Sequence, residues 1–143
     1  MKIICRNKKA FKDYEIFERF EAGIVLLGNE VKSLKNGNVS IQESYAGIEN
    51  GEVFIYNMDI APYEKEIYHT DRKRKRKLLL KKKEIKRIIG KITMRGFTLI
   101  PLSVYINDRN LVKIEIAIAR GKKMFEKREE IKKRDIEMEM RRE

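Results

Sequence analysis

Cysteine and long hydrophobic runs are almost absent from this sequence. Cys5 is the only cysteine, so a disulfide framework within the chain is excluded, which fits a reducing cytoplasm. No apolar run approaches the length of a transmembrane helix, and the apolar stretch within residues 1–5 is too short for a signal peptide. We therefore expect a cytoplasmic protein that does not enter a membrane.

Residues that commonly carry catalysis or bind metals are also scarce. The single histidine, His69, has no cysteines near it and no carboxylates at the spacing of a metal site. The serines lack the sequence context of a catalytic nucleophile. We expect no metal, no other cofactor and no enzymatic activity. A metal-dependent nuclease stays open as an alternative, because carboxylates from separate elements can still cluster in a fold.

Positive charge is what the sequence has in excess. The 143 residues include 34 Lys and Arg against 22 Asp and Glu, a net charge of +12, with 42% hydrophobic residues. The hydrophobic content and the length fit one globular domain. A surplus of this size favours a polyanionic partner, with RNA or DNA as the first candidate and an anionic membrane surface as the second.

The densest charge lies in residues 72–83, which read RKRKRKLLLKKK and contain nine basic residues and no acid. A charge run of this kind is commonly a solvated segment. Here three leucines interrupt it, and we expect their burial to hold the flanking cations in place. The run then predicts a fixed ridge that contacts RNA phosphates, with candidate residues Arg74, Arg76 and Lys77.

Residues 23–48 organise the middle of the chain. Residues 23–27 predict a buried strand that extends an alternating pattern from Tyr14, and residues 30–36 predict a short helix. Asn29 is the candidate N-cap of this helix, and Gly37 provides the left-handed position at which it ends. Glu30 is expected on the outer side of the helix, where it either stabilises the helix start or hydrogen-bonds RNA.

The rest of the body predicts hairpins and one further helix. Asn50-Gly51 separates two apolar segments and is a strong hairpin signal, and isoleucines at residues 85–92 follow helical periodicity. Residues 98–106 and 112–118 predict a second hairpin with a turn between them. This order favours a mainly β fold, an antiparallel barrel of the oligonucleotide-binding (OB) type with flanking helices. An open α+β sandwich is the alternative.

The two ends of the chain differ in composition from the body. The N-terminal arm is basic and is interpreted as a solvated tail. Residues 1–119 are predicted to form the barrel domain and residues 120–143 a basic C-terminal tail, disordered when free and helical when bound. Met124, Ile131 and Met138 are seven residues apart, so a short coiled coil is the other reading of the tail.

Several blocks resemble one known family in collinear order over almost the whole chain: Asn7-Lys8-Lys9-Ala10, Glu21-Ala22-Gly23-Ile24-Val25-Leu26, Glu30-Val31-Lys32-Ser33-Leu34, Arg76-Lys77-Leu78-Leu79-Leu80, and Gly121-Lys122-Lys123 with Lys127-Arg128-Glu129. This is the SmpB family, the SsrA (tmRNA)-binding proteins. The sequence departs from the usual family pattern at Arg72, where the family commonly has proline, at Lys81 in place of histidine and at Glu126 in place of aspartate.

The resemblance implies an OB-type barrel that acts as a monomer and binds the tRNA-like domain of tmRNA. It implies delivery of tmRNA to stalled 70S ribosomes for trans-translation, with the tail against small-subunit rRNA in the decoding centre and mRNA channel. The expected RNA-binding residues of the body are Asn7, Lys8, Lys9, Glu30, Lys32, Arg74, Arg76 and Lys77. Those of the tail are Gly121, Lys122, Lys123, Phe125, Lys127 and Arg128. A structural ribosomal protein or a general RNA-binding protein of OB type is the alternative.

Overall fold

The computed structural model describes residues 1–63 and 71–122. Within these ranges the chain forms nine strands and three helices. In chain order they are β1 (Lys2–Arg6), α1 (Lys8–Asp13), β2 (Tyr14–Ile24), α2 (Gly28–Lys35), β3 (Val39–Ser40), β4 (Tyr45–Glu49), β5 (Glu52–Tyr56), β6 (Asp59–Ile60), β7 (Arg76–Leu79), α3 (Lys82–Ile92), β8 (Phe97–Ile106) and β9 (Val112–Gly121). His69 and residues 123–143 lie outside the described ranges.

The main sheet closes on itself. Its strands follow the order β1-β8-β4-β5-β7-β2-β9, and an additional pairing of β8 with β9 closes all of them except β1 into a ring. β1 adds to β8 outside this ring, with a register shift between Ile3 and Cys5. All these pairings are antiparallel. The predicted OB-type antiparallel barrel is therefore confirmed, and the open α+β sandwich is excluded.

The hairpin of β8 and β9 supplies much of the barrel wall. Ile114, Ile116 and Ile118 alternate along β9 and are fully buried, as expected for one face of a strand that lines a core. The turn between the strands is fixed by Asn107, whose side-chain oxygen accepts hydrogen bonds from the amides of Arg109 and Leu111. This hairpin agrees with the predicted one, although β9 continues to Gly121, beyond the predicted boundary at residue 119.

The outer faces of β8 and β9 carry a second, smaller core under α1. Asn7 caps α1 by accepting a hydrogen bond from the amide of Ala10, and its side-chain amide donates to Pro101 at 3.0 Å. Ala10 then packs in one buried cluster with Ala117 and Ala119, because alanines let the helix approach the strand closely. The interpretation of the N-terminal arm as a solvated tail is wrong: its residues form β1 and α1.

The central helix begins earlier than predicted. α2 is capped at Leu27, whose amide donates to the Glu30 carboxylate at 2.9 Å, so Asn29 is already inside the helix. The helix ends as predicted, with Gly37 at φ 84°, a conformation that glycine adopts without a steric penalty. Downstream, the expectation that all three leucines of residues 78–80 are buried is wrong, since Leu79 is 52% exposed.

We predict that Ala117→Leu lowers the free energy of unfolding by about 1–3 kcal/mol, because the larger side chain has no room beneath α1. Lys113→Leu lies on the same strand, outside the Ala10 cluster, and should change stability by no more than about 0.5 kcal/mol. Urea denaturation of both variants measures the difference. Equal losses of unfolding free energy in the two variants would show that a larger side chain at position 117 does not clash with α1.

Candidate nucleic-acid interface

A carboxylate shared by two arginines joins α2 to the start of β7. The side chain of Arg76 is fully buried, and its Nε donates to Oε2 of Glu30 at 2.8 Å. Its Nη1 donates to the carbonyl of Met58 at 2.6 Å and its Nη2 to the carbonyl of Arg72 at 3.1 Å. A buried guanidinium requires such partners to offset the loss of water. Arg76 is therefore a structural centre of this region.

Arg74 binds the same carboxylate from the solvent side. Its Nε donates to Oε2 of Glu30 at 3.2 Å, and its side chain remains 27% exposed. Burial by itself would raise the pKa of Glu30, but hydrogen bonds from Arg74, the Leu27 amide and Arg76 outweigh it and lower this pKa. Glu30 is thus charged at neutral pH, and one negative charge faces two positive ones.

Three of the predicted RNA-binding residues are buried in this structure. Glu30 is 4% exposed, so its predicted place on the outer side of the helix is wrong: its carboxylate is turned inward by the two arginines. Arg76 is 0% exposed and Asn7 4%. Arg76 is therefore not part of a phosphate-facing surface here, and Asn7 serves as the cap of α1.

The predicted ridge at residues 72–83 is interrupted by acidic partners. Five of its nine basic residues form ion pairs within the described chain, namely Arg72 with Asp59, Arg74 and Arg76 with Glu30, Lys75 with Glu49, and Lys77 with Glu52. Lys73 and the lysines at 81, 82 and 83 are exposed and form no such pair with residues 1–63 or 71–122. The predicted ridge therefore contains two kinds of cation, those paired with carboxylates and the exposed lysines without such a pair.

The remaining predicted residues lie on the surface in separate places. Lys8 and Lys9 are exposed on α1, and Lys32 is exposed on α2 with its Nζ 5.4 Å from the centre of the Tyr63 ring. Gly121 ends β9 and Lys122 is exposed beside it. The other predicted tail residues lie outside the described ranges: Lys123, Phe125, Lys127 and Arg128.

An aromatic surface that was not predicted lies on β4 and β5 and consists of Tyr45 and Tyr56. Tyr45 pairs with Tyr56 across the hairpin, and their rings stack with centroids 5.1 Å apart. The Tyr56 hydroxyl donates to Glu49 at 2.6 Å, and this hydrogen bond raises the pKa of Tyr56 to about 12. The signal was present, because a two-residue Asn-Gly turn fixes the register and places these tyrosines opposite one another.

Within residues 1–63 and 71–122, no group of three or more histidine, cysteine, aspartate or glutamate side chains is placed to hold a metal ion. No helix within those ranges is long and apolar enough to cross a membrane.

A closed antiparallel barrel with lysines and aromatic rings on its outer surface has the architecture of OB-type oligonucleotide-binding proteins. The family model described as SmpB protein matches residues 4–143, and the chain belongs to the SmpB family.

Individual proteins agree with this assignment. The chain is 56% identical to the SsrA-binding protein of Coprothermobacter proteolyticus, with 100% of this chain and 97% of that protein covered. It is 54% identical to the SsrA-binding protein of Caldicellulosiruptor saccharolyticus, covering 99% and 89%. A chain in a solved structure described as "tmRNA-SmpB: a journey to the center of the bacterial ribosome" is 50% identical, with a TM-score of 0.69 and coverage of 82% and 83%.

Glu30→Gln should lower the free energy of unfolding by about 3–5 kcal/mol, because it leaves two guanidinium groups without their buried counter-charge. Glu52→Gln is the matched control, since Glu52 pairs with Lys77 near the surface and such pairs contribute about 0–1 kcal/mol. Urea unfolding at neutral pH compares the two. A loss at Glu30 no larger than that at Glu52 would contradict the structural role.

The contribution of Glu30 should also depend on pH. Because its pKa is lower in the folded state than the unfolded value of about 4.3, its stabilisation is complete above the unfolded value. It is lost as the pH falls through the folded value. The difference in unfolding midpoint between wild type and Glu30→Gln should therefore shrink in acid. A difference that stays constant between pH 7 and pH 3 would contradict this.

Proposed function

We propose that this chain is an RNA-binding adaptor that binds the tRNA-like domain of tmRNA and delivers it to stalled ribosomes. Translation then resumes on tmRNA, the unfinished peptide is tagged and the ribosome is released. The observation that carries this proposal is the match to SsrA-binding proteins at 54–56% identity over 99–100% of the chain. The likeness to SmpB in a tmRNA–ribosome structure supports it further.

The surface chemistry is consistent with a structured RNA partner. Exposed lysines occur on α1, on α2 and at Lys73, and separated cations can contact phosphates at several points of a folded RNA. We assign the contacts of the body to Lys8, Lys9, Lys32, Arg74 and Lys77. We assign a structural role to the three buried residues, which hold α1, α2 and β7 in place: Asn7, Glu30 and Arg76.

We further propose that the residues following β9 act on the ribosome. In this assignment Gly121, Lys122, Lys123, Phe125, Lys127 and Arg128 contact small-subunit rRNA near the decoding centre, and the chain to residue 143 enters the mRNA channel. The protein is then a non-enzymatic, monomeric adaptor of the cytoplasm. Sequencing the RNA that co-purifies with it tests the proposal, with tmRNA enriched over other RNA if it is right.

Binding of the tRNA-like domain should weaken as salt is raised. If about five phosphate contacts are made, the slope of log affinity against log salt should lie between about −3 and −5. Replacing the exposed pair Lys8 and Lys9 with alanine should make the slope less steep by about 1 to 2. Fluorescence titrations at several salt concentrations measure both quantities, and a slope near zero in the wild type would contradict phosphate contacts.

Phe125→Ala should impair peptide tagging while tmRNA affinity and the stability of the body stay unchanged. The reason is that a ring in a charged tail can stack on rRNA bases, which is worth about 1–3 kcal/mol per base. Met124→Ala is the neighbouring control and should tag normally. The measurement is peptide tagging on stalled ribosomes in vitro. Normal tagging by Phe125→Ala would show that the ring does not contribute to tagging.

A further inference from the structure

A cleft of about 650 Å³ opens beside the aromatic surface of β4. It lies between α1, the segment just before β4, and the adjoining ends of β8 and β9. Its lining mixes rings with polar groups, including Lys9, Asp13, Gln42, Tyr45 and Phe97. A volume of this size is ample for one nucleotide. The lining of the cleft does not include Glu30, Arg74 or Arg76.

Tyr45 is the most accessible ring at this cleft and is held in position. It is 51% exposed, and one side of its ring stacks on Tyr56 at an interplanar angle of 19°. The side chain therefore has exposed surface at the cleft that a ligand can contact. Tyrosine loses little conformational entropy when it binds, and a ring that is already stacked loses less still.

Tyr56, on which the Tyr45 ring stacks, is itself held in place by neighbouring residues. Tyr56 is anchored by its hydrogen bond to Glu49, and Lys75 donates to the same carboxylate at 3.0 Å. Gly47 faces the Tyr56 ring, where a Cβ atom would come within 3.3 Å of the ring carbon Cε2. The absence of a side chain at Gly47 thus lets Tyr56 lie close to the strand. The result is a stack of two rings in which Tyr56 is held by its neighbours and Tyr45 is the exposed member.

Resting on the proposed function, we infer that this cleft takes an unpaired RNA base, which stacks on the exposed ring of Tyr45. Bases stack on aromatic side chains whatever their sequence, whereas paired bases inside a helix present no free face. Lys9 lines the cleft and is exposed, so its ammonium group can contact the adjoining phosphate, and Gln42 can hydrogen-bond a base edge. The base comes either from the tRNA-like domain or from rRNA, and the two sources share this chemistry.

Gly121 also lines the cleft, so the chain itself offers another occupant. Phe125 follows four residues later and can reach the cleft if the chain turns back. A side chain that fills the cleft in the free protein would stabilise the body. Thermal unfolding of Phe125→Ala in the full-length chain tests this occupant beside the binding experiment.

The experiment compares full-length wild type, Tyr45→Ala, Tyr45→Phe and Phe11→Ala. Phe11 is a matched control because it is 41% exposed and does not line this cleft. Each protein is titrated with the transcribed tRNA-like domain in one arm and with purified small ribosomal subunits in the other, at several salt concentrations. Tyr45→Ala should bind about 5- to 150-fold more weakly in one arm, from the range known for base stacking.

The salt dependence of RNA affinity distinguishes base stacking from contacts with phosphates. Tyr45→Ala should keep the wild-type slope, since stacking releases no counterions, and both Tyr45→Phe and Phe11→Ala should bind like wild type. Unchanged affinity of Tyr45→Ala in both arms would overturn the inference while the proposed function stands. A marked fall in melting temperature for Phe125→Ala would overturn it too, because the cleft is then filled by the chain. A wild type that binds neither RNA would overturn the proposed function itself.

Discussion

One carboxylate between two guanidinium groups determines how the basic segment sits on this barrel. Glu30 accepts hydrogen bonds from Arg74 and Arg76 and also from the amide that starts its own helix. The interaction therefore ties the first turn of α2 to the segment leading into β7. Because a buried charge without its partner is costly, neither element can move away alone. The positions of Lys32 and Lys73 depend on this tie.

The barrel holds the surfaces available for recognition on its outer side. Its interior is filled by aliphatic residues such as Val53, Ile55 and Leu78. The outer side differs from region to region: α1 covers part of β8 and β9, ion pairs occupy the start of β7, and stacked tyrosines lie on β4 and β5. Recognition of a large folded RNA needs several such regions at fixed distances, and a closed barrel holds them there.

The hairpins and α3 were predicted correctly because each is determined by a short stretch of sequence. The patterns are an Asn-Gly turn, strict alternation of apolar residues and helical periodicity. The predictions failed where a partner distant in sequence decides. Glu30 lies on α2, and its burial results from Arg76, 46 residues away. Leu79 looks like a core residue beside Leu78, yet the strand period turns it outward. A run of cations likewise looks continuous in sequence, whereas its acidic partners come from α2 and from three other strands.

The position of β1 has a consequence for behaviour at high protein concentration. Within the described chain β1 pairs with β8 alone, so its other side presents a strand edge of the kind that promotes aggregation. The strand is short, the register shift between Ile3 and Cys5 breaks its regularity, and exposed Lys2 and Arg6 stand at its two ends. Like charges at such an edge repel a second copy. Charged side chains at the ends of a short, irregular edge strand are a known protection against edge-to-edge pairing.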